Sequence, residues 1–220
     1  HANVVATLEA TTPSDEYIIV GAHYDTVWGS PGAVDNGSGV AIVIAAADYL
    51  RHVKTRALNV MFVLFDEEEG VAYHEEYDYG AVNFITWFKD QELGTLHSAH
   101  TADMVSGWAG NPDVLYMHLV NNFYINLYTT ALKRLRDAHG DALPLLNTMS
   151  IAGGTRGASD HYPFRAEGVD AFQLSSNSDR DLHPTWHSSA DVAGVVNFEY
   201  LQAATLTTSA AIGGLLVCPN

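Results

Sequence analysis

The 220 residues are 47% apolar, which is enough to bury a sizeable core as a single α/β domain rather than as two small ones. A formal charge of −16 with only ten Lys plus Arg excludes the clustered cations that nucleic-acid backbone requires. The same negative field favours a cationic ligand, such as a peptide carrying a free ammonium group, although acidity also simply keeps a protein soluble.

Apolar β-branched runs alternate with helical patterns along the chain, the signature of a sheet covered by helices on both faces. Val4–Leu8 and Tyr17–Ala22 read as the first strands, separated by the turn-rich Thr11-Thr12-Pro13-Ser14-Asp15. His23 follows the second strand, and Asp25, two residues on, is placed to hold the imidazole's other N–H. Asp35 lies between two glycine-rich turns, where it reads either as a carboxylate brought close to other ligands or as a plain Asx-turn or N-cap. Gly39–Leu50 reads as an Ala-rich helix and Leu58–Phe65 as a central strand buried on both faces.

Directly after that strand come Asp66, Glu67, Glu68 and Glu69. Like charges packed so closely repel unless a cation neutralises them or they lie in a solvated loop. With a metal present, one carboxylate can bind it while its neighbour acts as general base. Ala81–Leu93 reads as a helix, and Thr101–Val105 as a strand whose Asp103 must find a cation or several donors if buried. Val114–Leu119 reads as a strand, Asn122–His139 as a long helix with basic residues near its C-terminus, and Leu146–Ile151 and Val169–Leu174 as further strands. His187 stands four residues after His183 and four before Asp191, and Phe198–Leu216 closes the chain as a helix. Imidazole and carboxylate ligands delivered from several strand ends onto one sheet edge make a metal site for a hard-to-borderline divalent ion.

The order His23, Asp35, Glu68-Glu69, Asp103 and His187 resembles the dizinc aminopeptidase family of co-catalytic metallopeptidases, the group that includes bacterial leucyl and Streptomyces aminopeptidases. The resemblance runs from about Asn3 to Asp191 and takes in Gly21-Ala22-His23-Tyr24-Asp25, Asp35-Asn36-Gly37-Ser38-Gly39, Asp103-Met104-Val105 and Ser159-Asp160-His161-Tyr162-Pro163-Phe164. It implies a three-layer α/β/α sandwich with a mixed, mostly parallel sheet. It implies two Zn²⁺ per chain, with Asp35 bridging them, His23 and Asp103 completing one, and Glu69 and His187 the other. Glu68 is then the general base and a metal-bridging hydroxide the nucleophile. The charges agree, since three carboxylates and a hydroxide balance two Zn²⁺.

Three features depart from the family pattern. The triple glutamate leaves a second register open, with Glu67 as base and Glu68 as ligand; spacing from the strand favours Glu68 and Glu69, because a strand fixes where a carboxylate points while the following loop absorbs insertions. The usual Gly-Ser element after the pair is displaced to Gly80-Ala81, so Ala72–Tyr79 reads as inserted. Trp186 stands where several aminopeptidases carry a tyrosine that stabilises the oxyanion. A Trp-His pair there, with Asp66 after Phe65, is also similar to glutaminyl cyclases, which share the fold, bind one zinc and cyclise N-terminal glutamine. His161 and the intact Gly37-Ser38-Gly39 turn look more like the aminopeptidases.

Asp160 and His161 read as lining the substrate site or as an ordinary helix cap, and Arg156 as a substrate-carboxylate contact or a solvated loop cation. His74, His97, His100 and His118 carry no partner spacing that assigns them a role. The expected activity is removal of N-terminal amino acids from peptides by a zinc exopeptidase. A carboxypeptidase would want a cationic pocket, and a non-catalytic peptidase-like module would have lost ligands. Cys218 is the one cysteine, so no intrachain disulfide forms, and no apolar run reaches the roughly 18–20 residues of a membrane span. Opening at His1-Ala2-Asn3 without a methionine, the chain reads as lacking an N-terminal segment. An extracellular or periplasmic monomer is expected.

Overall fold

The computed structural model describes residues 2–70, 79–111 and 113–218. In chain order the elements are β1 (Val4–Leu8), β2 (Glu16–His23), α1 (Gly37–Leu50), β3 (Asn59–Phe65), α2 (Tyr79–Asp90), β4 (Thr95–Ala102), β5 (Val114–His118), α3 (Asn122–His139), α4 (Leu145–Thr148), β6 (Ser150–Gly154), α5 (His161–Ala166), β7 (Asp170–Ser175) and α6 (Phe198–Val217). The strands form one sheet ordered β1-β3-β2-β4-β7-β5-β6. Neighbours β3, β2, β4 and β7 are parallel, while β1 and β5 run antiparallel to β3 and β7.

Alternation along the central strands explains the two helical layers. On β2, Ile18, Val20 and Ala22 join the core under α1, α3 and α6, whereas Ile19 joins Met61, Val63 and Phe65 under α2 and α5. Both faces are covered, so these strands read in sequence as unbroken apolar runs. The second layer is aromatic, with Phe65, Phe84 and Phe164 packed edge to face or tilted at ring-centroid distances of 6.0 to 6.1 Å. Gly21 makes room for it, since a Cβ there would sit 2.4 Å from Phe65 Cε2.

Helix α6 is by length and composition apolar enough to cross a membrane, yet 56% of its apolar window is buried in the fold. Its Tyr200, Ala204, Ile212 and Leu216 belong to the core beneath α1 and α3.

Two strands differ from the sequence expectation. The run expected at Thr101–Val105 is the end of a longer strand, β4, that starts at Thr95 and stops before Asp103. Its first half is disguised by His97, Ser98 and His100. Ser98 and His100 are nevertheless buried, because the His100 ring has a hydroxyl on each side, Tyr128 at 2.9 Å and Ser98 at 3.1 Å. The strand expected over Leu146–Ile151 is displaced, with a helical turn at Leu145–Thr148 and β6 following it. Pro144 suits that turn's start, which outweighs the apolar run. Helix α2 begins two residues earlier than the expected Ala81 and ends at Asp90, and most of the inserted stretch Ala72–Tyr79 lies outside the described residues, as does His74.

Burial, reinforced by nearby His97, pushes the His100 imidazole down to about 3. In the unfolded chain it titrates near the ordinary value of about 6.5. The unfolded state therefore takes up the proton first as pH falls, and the stability present above about pH 6.5 is lost at up to about 1.4 kcal/mol per pH unit toward the folded value. A His100→Gln variant, which cannot titrate, should show a shallower loss of unfolding free energy between about pH 6.5 and pH 4 in urea titrations. Parallel curves for the two proteins would contradict this.

Candidate metal centre

Because β3, β2, β4 and β7 run in one direction, their C-terminal ends open onto one edge, and the loops that follow carry the acidic and histidine residues. His23 is the last residue of β2 and is 1% exposed. Asp35 lies in the turn before α1, Glu67-Glu68-Glu69 follow β3, Asp103 follows β4 by one residue, and His187 comes from the loop after β7.

These side chains converge into two halves that share Asp35. His23 Nε2 lies 3.4 Å from Asp35 Oδ1 and 3.4 Å from Asp103 Oδ1. His187 Nε2 lies 3.5 Å from Asp35 Oδ2 and 2.9 Å from Glu69 Oε2. Glu68 Oε2 stands at the margin, 4.0 Å from His23 Nε2. Ligand atoms of His23, Asp35 and Glu69, and separately of His23, Glu68 and Asp103, all lie within 4.8 Å of one another. Glu67 lines a cleft of about 160 Å³ with Ala2, Asn3, Asp66 and Tyr79.

The electrostatics of this cluster fit a divalent cation. Burial, with Asp35 next in importance, pushes the Glu69 carboxyl up to about 8, and burial likewise raises Asp35. Burial alone would depress His23, but Glu68, Asp103, Asp25 and Asp35 around it hold the imidazole well above its ordinary range. Burial would raise Asp103 too, yet the His23 contact outweighs it and keeps that carboxyl low. Glu69 Oε1 is buried and makes no hydrogen bond. Carboxylates held this closely need either protons or cations, and imidazole plus carboxylate is a donor set that zinc accepts.

The loops are held by further residues around the cluster. Asp25 accepts the backbone N–H of Glu68 on Oδ1 and of Glu69 on Oδ2, each at 3.1 Å, and its Oδ1 lies 3.5 Å from His23 Nδ1. Asp191, fully buried, accepts the Val34 N–H at 2.8 Å and the Asp35 N–H at 3.0 Å, fastening the Asp35 loop to a distant part of the chain. Asn36 Oδ1 caps α1 through Gly39 N and also accepts Met104 N, while its amide donates to Ala102 O. Ser38 Oγ donates to Val34 O and accepts Val105 N. A Cβ at Gly39 would lie 2.4 Å from Ala102 O, so glycine there lets α1 approach the end of β4. Gln173 donates to Asp103 Oδ2 at 2.8 Å. The Asp35–Asn36 peptide bond is cis. Of the non-glycine residues with left-handed backbone, Glu67, Met104 and His187 (φ 58°, 55° and 54°) all lie in these loops, where strain is characteristically stored.

Asp191 and Gln173 were not singled out as site residues from the sequence. The only signal was their incongruity, a carboxylate four residues past His187 and a glutamine inside an apolar strand. Among the other expected residues, Trp186 is 43% exposed and stacks on His187 with ring centroids 4.0 Å apart. Asp160 precedes α5 without a side-chain cap hydrogen bond, so the capping reading is not what the structure contains. His161 is buried behind Asp103, and burial pushes its imidazole down to about 4. Arg156 turns inward to the Ser178 carbonyl at 3.4 Å. Asp66 accepts the Ala2 and Glu67 N–H groups. His118 sits between the Asn177 carbonyl at 2.9 Å and Asp179.

Replacing Asp191 by Ala removes both acceptors that place Asp35, and should weaken zinc binding by about 10–100-fold in chelator competition. Asp181→Ala, whose exposed side chain meets Ser178, should leave it unchanged. Equal affinities in the two variants would refute the assignment.

A model of Peptidase family M28 matches residues 3–212, a span that includes every residue of the cluster. Aminopeptidase YwaD of Bacillus subtilis (strain 168) is 27% identical over 203 residues, covering 90% of this chain and 40% of that protein. The crystal structure of a zinc aminopeptidase from Bacillus subtilis matches with a TM-score of 0.80 at 24% identity, over 96% of this chain and 49% of that one. Glutaminyl cyclase of Porphyromonas gingivalis matches with a TM-score of 0.67 at 21% identity, over 96% of this chain and 76% of that one. At such identities the two structures share the fold, and the chain spans about half or less of the length of both Bacillus proteins. With its residues matched almost end to end, the chain belongs to Peptidase family M28.

Proposed function

We propose that this chain is the catalytic domain of a dizinc aminopeptidase that removes the N-terminal residue of peptides. The observation that carries the reading is Asp35, whose two oxygens each face a different histidine, His23 on one side and His187 on the other. Asp35 would bridge two zinc ions, His23 and Asp103 would complete one, and Glu69 and His187 the other. Bound zinc supplies Lewis-acid polarisation of a carbonyl and acidification of water at neutral pH. Glu68, at the margin of the cluster with its backbone tied to Asp25, would take the proton of the attacking water and return it to the leaving amine. Trp186 carries an indole N–H at the exposed side of His187 and would serve as the oxyanion donor that a tyrosine provides in several aminopeptidases. The net charge of −16 draws in the substrate's ammonium group, and the scarcity of cations disfavours recognition of a C-terminal carboxylate.

The likeness to glutaminyl cyclase and the Trp186-His187 pair favour a second reading, a single-zinc cyclase. Against it, His23 and Asp103 meet on Asp35 and complete a second half that one zinc does not require. Retention of all the ligands likewise speaks against a non-catalytic module. Glu68 is the better-placed base because its Oε2 lies 4.0 Å from His23 Nε2 and groups with His23 and Asp103.

The protein should contain two zinc ions by metal analysis and hydrolyse amino acid p-nitroanilides in a chelator-sensitive way. Glu68→Gln should reduce turnover by about 10²–10⁴-fold with metal content retained, while Glu67→Gln stays within a few fold. Loss of turnover in Glu67→Gln instead would place the register one residue earlier. One zinc with cyclisation of a glutaminyl peptide would establish the cyclase reading.

A further inference from the structure

Asp103 is attached to β7 twice. Its backbone N–H donates to the Leu174 carbonyl at 2.9 Å, and its Oδ2 accepts from Gln173 Nε2 at 2.8 Å. Gln173 lies inside β7, opposite Thr101 of β4 on one side and His118 of β5 on the other, and is 4% exposed. Ala171, Phe172 and Leu174 beside it are buried and apolar, so a glutamine is out of keeping with the strand unless its amide has a partner that matters. Only one amide orientation works, because the reverse would set two acceptors, Oε1 and Oδ2, against each other. In the working orientation Oε1 is buried without a hydrogen bond, a penalty accepted in exchange for the Asp103 contact. The other carboxylate oxygen, Oδ1, is left facing His23 Nε2 at 3.4 Å.

We propose that Gln173 is a positioning residue that makes Asp103 a one-oxygen ligand and thereby sets how tightly the zinc position shared with His23 holds its metal. The proposal rests on the dizinc reading above. With Nε2 bound to Oδ2, rotation of the carboxylate is restrained and Oδ1 is the oxygen presented toward His23, which favours one-oxygen over bidentate ligation. Glu69 and His187 meet each other and Asp35 on the far side of the cluster, so the effect is confined to one of the two positions.

The test compares wild type, Gln173→Leu, which is close in size without a donor, and Gln173→His, which restores an N–H. Two zinc dissociation constants are read by chelator competition, and the Co²⁺-loaded proteins are compared by visible absorption. In Gln173→Leu one constant should weaken by about 10–100-fold with the other unchanged, and the Co²⁺ bands should lose intensity as Asp103 turns bidentate. Gln173→His should recover both properties. Wild-type constants in Gln173→Leu, or equal weakening of both without recovery in Gln173→His, would overturn the proposal. If Gln173→Leu does not fold, Gln173→Glu, which sets an isosteric acceptor against Oδ2, decides between the same outcomes. A wild-type chain that binds fewer than two zinc ions instead overturns the dizinc reading, and the role of Gln173 with it.

Discussion

Four carboxylates share one edge of the sheet with two imidazoles that lie about 3 to 4 Å from them, and the repulsion among the carboxylates is the constraint on which the rest of the structure depends. Hydrophobic burial alone would never gather them. They are held in place by covalent strand ends, by helix α1 starting where it does, and by a frame of hydrogen bonds from residues that do not enter the cluster. Asp25 and Asp191 are central to that frame, each spending both carboxylate oxygens on backbone or histidine N–H groups of the ligand loops. A buried carboxylate satisfied by two amides is rigid and has little remaining tendency to collapse into the cluster itself.

The two faces of the sheet contribute differently. Beneath α1, α3 and α6 lies the larger core, and α1 begins at the metal edge, with Asn36 and Ser38 at its first turn binding the backbone that follows β4. Beneath α2 and α5 lies the aromatic cluster around Phe65, whose strand delivers the glutamates. The ligands from β2 and β3 are therefore set by packing from both layers. His187, by contrast, comes from a loop, has a left-handed backbone and is 35% exposed at its side chain, so its place depends on Glu69, Asp35 and the Asp191 anchor.

Much of this was legible in the sequence, for physical reasons. Period-2 alternation is invisible in strands buried on both faces, but apolar β-branched content is not, so β1, β2, β3, β5 and β7 stand close to where they were expected. Strand β4 was misplaced because its buried positions are polar and become acceptable only when Tyr128, distant in sequence, meets His100. His23 and the glutamates stood out because they directly follow apolar runs, whereas Asp35 and His187 stood out by their glycine-rich turn and histidine-aspartate spacing. Of the supporting residues, Asp25 was legible from its place two after His23, whereas Gln173 meets Asp103 only through a contact across 70 residues. For Asp160 the sequence left substrate lining and helix capping both open, and its side chain does not make the capping bond.

The bonds from Val34 and Asp35 to Asp191 span 157 and 156 positions of the chain. Closing a span of that length costs loop entropy that contacts elsewhere in the fold must offset. A polypeptide ending before Asp191 would lack both of the oxygens that hold the Asp35 loop against the rest of the cluster.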